Sequence, residues 1–490
     1  MAGHEQDESF ERGRLATRAL PEPPAFDAIT MQRVTGALLG AAVGDALGAP
    51  FEFREAGLWS ATFPEPVIGG TGEMIGGGSF NWKPGEFTDD TQMTLAIAQS
   101  LLEHGAYVPS DVFQRFVDWR RSAKDHGILT GRVLVEPDWA DAARLAHIAS
   151  NGRSAANGSL MRITAIAIAW SGADETTLID VARAHSALTH FDAAAGWGAA
   201  IGAALIRRAI LGEDPIAALP QILAQVDEVA RERFATMLDG SWSPNRPGDP
   251  SNGTVWTCLA QAVWAVRHNE SFADVMSAAI DLGGDTDTVA TVAGAIAGAR
   301  ASVQAIPSRW LTYVNGSIGS ASGPVSFDNA SLQDLARALV GRDAFVPTKQ
   351  EAPAGPSPVA PGLFAANLGG AATARTDQAV VSLCRTLGIF DRHPVRREVH
   401  LIDRSGPANA DASAAVRDAV DSIDAFLAEG REVIVHCHGG HSRTGVVLKA
   451  WAMRTNGFTE RQAHDWLAAS WPEYRDWEPS FIELLEREWT

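Results

Sequence analysis

The chain has 490 residues, too many for one ordinary domain, and 46% of them are hydrophobic, which excludes global disorder. Forty basic side chains against 59 acidic ones give a net charge of −19. That argues against a nucleic-acid binder held by counterion release, though not against a small anionic substrate met by a local field. Three cysteines, Cys258, Cys384 and Cys437, do not support a disulfide framework and fit a reducing, cytoplasmic compartment.

Residues 1–28 are charged and then Pro-rich, without the apolar core of a signal peptide, and are expected to be a flexible leader. No run of about 18 uncharged apolar residues occurs, so neither a membrane span nor a membrane partner is expected. From 29 to 345 the text is Ala-rich with helical periodicity, which predicts a mostly α domain. Gly36, Gly40, Gly44 and Gly48 fall at four-residue steps, a stripe that lets another backbone come close. Asp45, in the same helix, reads as structural.

Two acidic clusters stand at predicted helix starts. "FTDDTQMTLAIAQSLL" places Thr88, Asp89 and Asp90 before an amphipathic helix. "LGGDTDTVATVAGAIAGA" makes a turn at Gly283 and Gly284, then sets Asp285, Asp287 and Thr288 before an apolar one. Either cluster alone is readily a helix cap. Their duplication points to hard oxygen ligands for Mg²⁺, Mn²⁺ or Ca²⁺. If the four carboxylates converge, their repulsion demands cations.

Residues 346–361 hold five prolines and are expected to be a linker. From 362 to 490 short β-rich runs alternate with helices, which predicts an α/β domain with a mainly parallel sheet. There "EVIVHC" and "TGVVLKAWAMRT" flank the loop "HCHGGHSRTG". A loop running from a strand end to a helix N-terminus favours an anion. Gly439 and Gly440 let its backbone curl, and His438, His441 and Ser442 complete the cradle. The same dipoles favour a Cys437 thiolate nucleophile. Arg443 can hold two phosphate oxygens. Thr444 is expected to donate a hydrogen bond to the sulfur, and His436 to orient the loop. Zinc held by Cys437, His436, His438 and His441 is the alternative, opposed by the tight spacing and by Arg443. An anion-binding loop without turnover is another.

The loop matches the Cys-x5-Arg-Ser/Thr signature, and residues 362–490 resemble the compact dual-specificity type of tyrosine phosphatase. The resemblance implies that Asp403, 34 residues before Cys437, protonates the leaving oxygen. Asp411 is its rival but suits a helix cap. No cofactor is implied there.

"GALLGAAVGDALGAPFEF", "FTDDTQMTLA", "NGSLMRITAIA" and "LGGDTDTVATVAGAIAGA" resemble the ADP-ribosylglycohydrolase family. This implies an all-α orthogonal bundle with two Mg²⁺ or Mn²⁺ held by Thr88, Asp89, Asp90, Asp285, Asp287 and Thr288. It implies Glu52 as a mobile acid or base. It implies Asn157, Gly158, Ser159 and Met161 around a diphosphate, with His190 on the substrate side, although the bare sequence favours a structural histidine. Glu52, Asp89 or Asp90 would manage the proton as water attacks the anomeric carbon. The fold expected is therefore multidomain, a helical bundle followed by an α/β phosphatase domain. The function expected is a bifunctional hydrolase acting on an ADP-ribosylated protein or small molecule and on a phosphorylated substrate. A glycohydrolase with a non-catalytic phosphate-binding module, or a non-enzymatic ADP-ribose reader, is the alternative. None of the 15 tryptophans is assigned a site.

Overall fold

The computed structural model describes residues 13–244, 246, 248–343, 352–403 and 408–489. The first twelve leader residues and linker positions 346–351 lie outside the described residues. The chain forms two compact units. The first comprises 1–64, 74–300 and 314–344; the second comprises 65–73, 301–313 and 345–490.

The first unit is helical. Helices α1 (Ala28–Gly48), α2 (Asp89–His104), α3 (Ala193–Ile210), α4 (Val255–His268) and α5 (Thr286–Ala301) form its centre. Strand structure among its described residues is limited to short pairs. One of these joins Arg18–Ala19, inside the expected leader, to Ala106–Tyr107. α1 is long and apolar enough to cross a membrane by length and composition, but its whole apolar window is buried inside the protein.

The glycine stripe explains that burial. A Cβ on Gly40 would lie 2.2 Å from the carbonyl oxygen of Gly294, and one on Gly44 would lie 2.1 Å from that of Ala290. One on Gly48 would meet the Asp287 Cα at 2.5 Å. α1 and α5 thus touch backbone to backbone, a spacing only glycine permits. The contact sets Asp287 against the end of α1.

The second unit is an α/β domain. Its strands are β1 (Ser357–Ala360), β2 (Leu363–Asn367), β3 (Ala379–Ser382), β4 (Arg396–Glu398) and β5 (Val433–Cys437). Their order is β1-β2-β5-β3-β4, parallel except for the β1–β2 hairpin. β1 falls in the Pro-rich stretch expected as linker. It holds an edge position, where proline's missing N–H is tolerated. Helices α6 (Ala412–Ala428), α7 (Ser442–Asn456), α8 (Glu460–Ser470) and α9 (Pro479–Glu488) complete the unit. Val433, Val435 and Cys437 join the larger apolar cluster with Val416, Val420 and Val447, while Ile434 joins the smaller one with Val380 and Phe390. This is the two-residue alternation of a strand buried on both faces.

The excursions 65–73 and 301–313 belong structurally to this unit. Arg397, fully buried, donates to the Ile68 carbonyl. Glu398 N–H donates to Thr312 Oγ1 at 2.8 Å, and Gln304 Nε2 donates to Asn409 Oδ1 at 2.7 Å.

Candidate active sites

In the first unit, Thr88 occupies the N-cap position of α2, yet its side chain makes no capping bond. Asp45 of α1 caps the helix instead. Its carboxylate accepts Thr88 N–H at 2.9 and 3.0 Å, Thr91 N–H at 3.0 Å and the Thr91 hydroxyl at 2.6 Å. A carboxylate from another helix thus satisfies the orphan amides of the first turn. The Thr88 hydroxyl and one Asp90 oxygen remain uncommitted.

The second cluster arrives by a turn that needs glycine. Gly283 and Gly284 have φ of +72° and +73°. A Cβ on Gly283 would lie 2.6 Å from Ala56 N. Phe53 N–H donates to the Gly284 carbonyl at 2.7 Å, and Gly284 N–H returns a bond to Arg54 at 2.9 Å. This pairing brings Glu52 to Asp285 and Asp287, with one carboxylate oxygen from each within 4.8 Å of the others. The Thr288 hydroxyl donates to Asp90 Oδ2 at 3.4 Å, joining the two acidic motifs across 198 residues of chain.

The acids stabilise one another poorly. Burial, followed by repulsion from neighbouring carboxylates, lifts Asp90 and Asp287 well above the ordinary range. The same causes push Asp89 to about 8 and Glu52 to about 9, with Asp125 the largest carboxylate neighbour of both. Glu52 Oε2, Thr88 Oγ1 and Asp90 Oδ1 are buried with no hydrogen-bond partner among the described residues. Buried anionic oxygens without donors are costly. The set, carboxylates and hydroxyls only, fits hard divalent cations.

Other expected residues have more specific places. Asn157 Nδ2 donates to Asp285 Oδ2 at 2.8 Å and to the Asn252 carbonyl at 3.0 Å, so its amide orients a cluster carboxylate. The side chain of Ser159 points inward to Ser186 at 2.7 Å, and Met161 is buried. Gly158 lies against His190: a Cβ there would be 2.9 Å from the ring. Burial first, then the charge of Arg162, holds His190 neutral, and Thr189 Oγ1 bonds its Nδ1 at 2.8 Å.

In the second unit β5 ends on Cys437 and α7 starts at Ser442, which is the predicted strand–loop–helix. Gly440, at φ +76°, allows the loop to turn, and Trp471 Nε1 donates to its carbonyl at 2.8 Å. Arg443 Nη1 donates to the carbonyls of Leu383 and Leu401 at 3.1 and 3.3 Å. Its Nε lies 3.5 Å from Asp403 Oδ2. Burial alone would pull the guanidinium down. Its neighbours, Cys437 and Asp403 among them, outweigh burial and raise Arg443. His436 meets Ser382 Oγ at 2.7 Å, and burial holds its ring down at about 4, hence neutral. Asp411 accepts Ala414 N–H at 2.9 Å and is the N-cap of α6, leaving Asp403 as the acid beside Arg443.

One expectation is corrected. Among the described residues Thr444 Oγ1 is buried with no hydrogen-bond partner, so the bond to sulfur is not formed. The hydroxyl sits in the first turn of α7.

The family model for ADP-ribosylglycohydrolase matches residues 27–348. The chain belongs to the ADP-ribosylglycohydrolase family. It also carries a dual specificity phosphatase domain, whose catalytic-domain model matches residues 394–484. A solved "ADP-ribosylglycohydrolase-related protein complex" chain is 32% identical, with a TM-score of 0.51, covering 64% of this chain and 98% of that one. An ADP-ribosylarginine hydrolase, Tri1, of Pseudomonas putida is 29% identical over 296 residues, 58% of this chain and 74% of the relative. The ADP-ribosyl-[dinitrogen reductase] glycohydrolase of Rhodospirillum rubrum is 28% identical over 287 residues, covering 58% and 90%. Human ADP-ribosylhydrolase ARH3 is 28% identical over 335 residues, covering 59% and 90%. The chain is therefore an enzyme of the hydrolase class, in a family that is generally dependent on a binuclear metal centre.

Three residues of this family member's cluster were given no role by the motifs, although Arg162 lies within one of them. Asp125 acts on both Glu52 and Asp89 but stands alone in a polar loop. Asn252 Oδ1 accepts Asp285 N–H at 3.0 Å, while its amide donates to Gln261 and to the Gly283 carbonyl, both at 2.9 Å. A signal for it existed: "NGT" at 252–254 echoes "NGS" at 157–159. The two stretches pair antiparallel through Asn157 N–H to the Gly253 carbonyl at 3.1 Å. Arg162, fully buried, donates to the Gly158 carbonyl at 2.9 Å and to Thr189 Oγ1 at 2.5 Å, and so shapes the same loop.

Proposed function

We propose that the first unit hydrolyses the glycosidic bond between ADP-ribose and an acceptor. The convergence of Glu52, Asp285 and Asp287, with Thr288 bonded across to Asp90, carries this reading. Thr88, Asp89, Asp90, Asp285, Asp287 and Thr288 would hold two Mg²⁺ or Mn²⁺. Bound there, the ions supply positive charge that polarises a water and the ribose hydroxyls. Glu52 takes the proton of the attacking water, for it has an uncommitted buried oxygen and faces both clusters. The bond from C1 to water oxygen forms as the bond from C1 to the acceptor breaks, and the proton taken up by Glu52 is passed to the leaving acceptor. Asn157 and Asn252 hold Asp285 in place. The names of the relatives support ADP-ribosylated proteins or small conjugates as substrates. Release of ADP-ribose from such a conjugate by the full chain, dependent on added metal and lost in Asp89→Ala and Asp287→Ala, tests it. Binding without release would instead mark a reader.

We propose that the second unit hydrolyses phosphomonoesters through a cysteinyl-phosphate. The placement of Cys437 at the end of β5 and of Arg443 in the first turn of α7, on one tight loop, carries this reading. The sulfur attacks phosphorus as the ester oxygen departs, and Asp403 gives that oxygen its proton. Water then attacks phosphorus, Asp403 accepts its proton, and the sulfur leaves as thiolate. Arg443 holds the phosphoryl oxygens in both steps. Phosphate release by wild type, absent in Cys437→Ser although phosphate ester still binds, tests it. A wild type that binds esters without turnover would leave a phosphate-binding module. A cytoplasmic location belongs to the same proposal.

A further inference from the structure

Gln304 lies within the stretch matched by the ADP-ribosylglycohydrolase model, just past the end of α5, yet it belongs to the second unit. It sits in a single 3-10 turn, Val303–Ala305, and is 4% exposed. Both ends of its side-chain amide are in use. Nε2 donates to the His400 carbonyl at 3.1 Å and to Asn409 Oδ1 at 2.7 Å, while Oε1 accepts Asp411 N–H at 2.8 Å. Asn409 closes a second ring on the same chain. Its Oδ1 also accepts Ile402 N–H at 2.9 Å, and its Nδ2 donates to the Ile402 carbonyl at 3.0 Å.

These partners stand on both sides of Asp403. His400 and Ile402 precede it; Asn409 and Asp411 follow it. A buried amide that bonds both sides holds them together, because breaking any of these bonds strands a polar group. The clamp is anchored at each end. Asp411 caps α6, and Glu398, the last residue of β4, donates its N–H to Thr312 Oγ1 from the same 301–313 excursion. Asp403 itself lies against Arg443, with its Oδ2 3.5 Å from Nε. A proton donor acts only within hydrogen-bond reach of the leaving atom, so its rate contribution is sensitive to small displacements of the backbone that carries it.

We propose that Gln304 is a positioning residue for the phosphatase: it ties 400–402 to 409–411 and so holds Asp403 where its proton reaches the leaving oxygen. This rests on the phosphatase activity, and the role of Asp403, proposed above. A side chain encoded in the glycohydrolase stretch is thereby a working part of the second site.

The test uses the full chain and two aryl esters. Phenyl phosphate needs a proton on its leaving oxygen; dinitrophenyl phosphate, whose phenolate is stabilised by its nitro groups, does not. The readout is kcat/KM, which reports the first chemical step. Gln304→Met keeps the length of the side chain and removes the amide. It is expected to lower kcat/KM on phenyl phosphate about 10- to 100-fold and on dinitrophenyl phosphate less than about twofold. Asn409→Leu, which opens the clamp from its other side, should give the same pattern. Asp403→Asn should give it more strongly, and Gln304→Met added to Asp403→Asn should cost nothing further on phenyl phosphate. Equal losses on both esters in Gln304→Met and Asn409→Leu would reduce the clamp to a support of the fold and overturn the proposal. No loss on either ester, or a full additional loss beside Asp403→Asn, would overturn it as well. An Asp403→Asn protein without the leaving-group pattern would remove the donor and the proposal with it, while the phosphatase activity stands. No turnover of either ester by wild type would remove both.

Discussion

The two sites solve opposite problems of assembly. In the second unit Cys437, the loop glycines and Arg443 come from eight consecutive residues, 437–444, and local chain geometry places them. In the first unit the acids come from positions 52, 89–90 and 285–287, and only long-range packing unites them. The first arrangement stabilises an anion with amides and a guanidinium. The second concentrates carboxylates that repel and so favours cations. A local site can be damaged one residue at a time; a dispersed one depends on the stripe, turn and asparagines that hold distant segments together.

The sharpest way to separate the two is Cys437→Ser. Phosphomonoester turnover should fall to background while ADP-ribose release stays within about twofold of wild type, since the two chemistries share no group. A loss of both would break the comparison. Asp287→Ala should do the reverse. ADP-ribose release should drop more than about 100-fold, because even residues that merely orient metal ligands cost 10- to 100-fold.

Asn252→Ala probes the dispersed site one step out. It removes the acceptor for Asp285 N–H, and about 10- to 100-fold weaker Mn²⁺ affinity is expected from a titration of ADP-ribose release. Phosphatase kinetics should not change.

Stability gives two smaller effects. Gly44→Ala drives a methyl to within 2.1 Å of the Ala290 carbonyl oxygen, and overpacking of this kind costs about 1–3 kcal/mol, readable by denaturant titration. The raised acids also make the metal-free protein pH-sensitive. Their contribution is complete below the ordinary carboxylate value of about 4. It is lost as pH climbs through about 8 for Asp89 and about 9 for Glu52. In chelator the melting temperature should therefore fall from pH 6 to 9, and Mg²⁺ should flatten that slope.

What could be read from the sequence follows the same division. The phosphate loop is contiguous, so strand, loop, helix and the pairing of Cys437 with Arg443 were all legible. Asp403 was reachable because it lies on the neighbouring crossover. For the acidic site, the repeated Asp-Thr motif pointed to the clustered acids and the glycine stripe to the close helix contact. Asp125, Asn252 and the capping by Asp45 were not legible as parts of the site, because single polar residues gain their role only from partners far along the chain. The excursions 65–73 and 301–313 were missed for a related reason. Nothing local marks them as belonging with residues beyond 345, yet Arg397 and Glu398 take partners from both. Kinetic comparisons accordingly call for the full chain, since a cut near residue 350 would strip those partners away.

The most direct measurement is calorimetric titration of Mn²⁺ into the chelator-stripped full chain, beside Asp287→Asn. Saturable binding with proton release, abolished or greatly weakened by the substitution, is the predicted result, since buried protonated carboxylates must give up protons to bind a cation. Unchanged binding in Asp287→Asn, or full ADP-ribose release by wild type in excess chelator, would contradict a cation site built from the two acidic motifs.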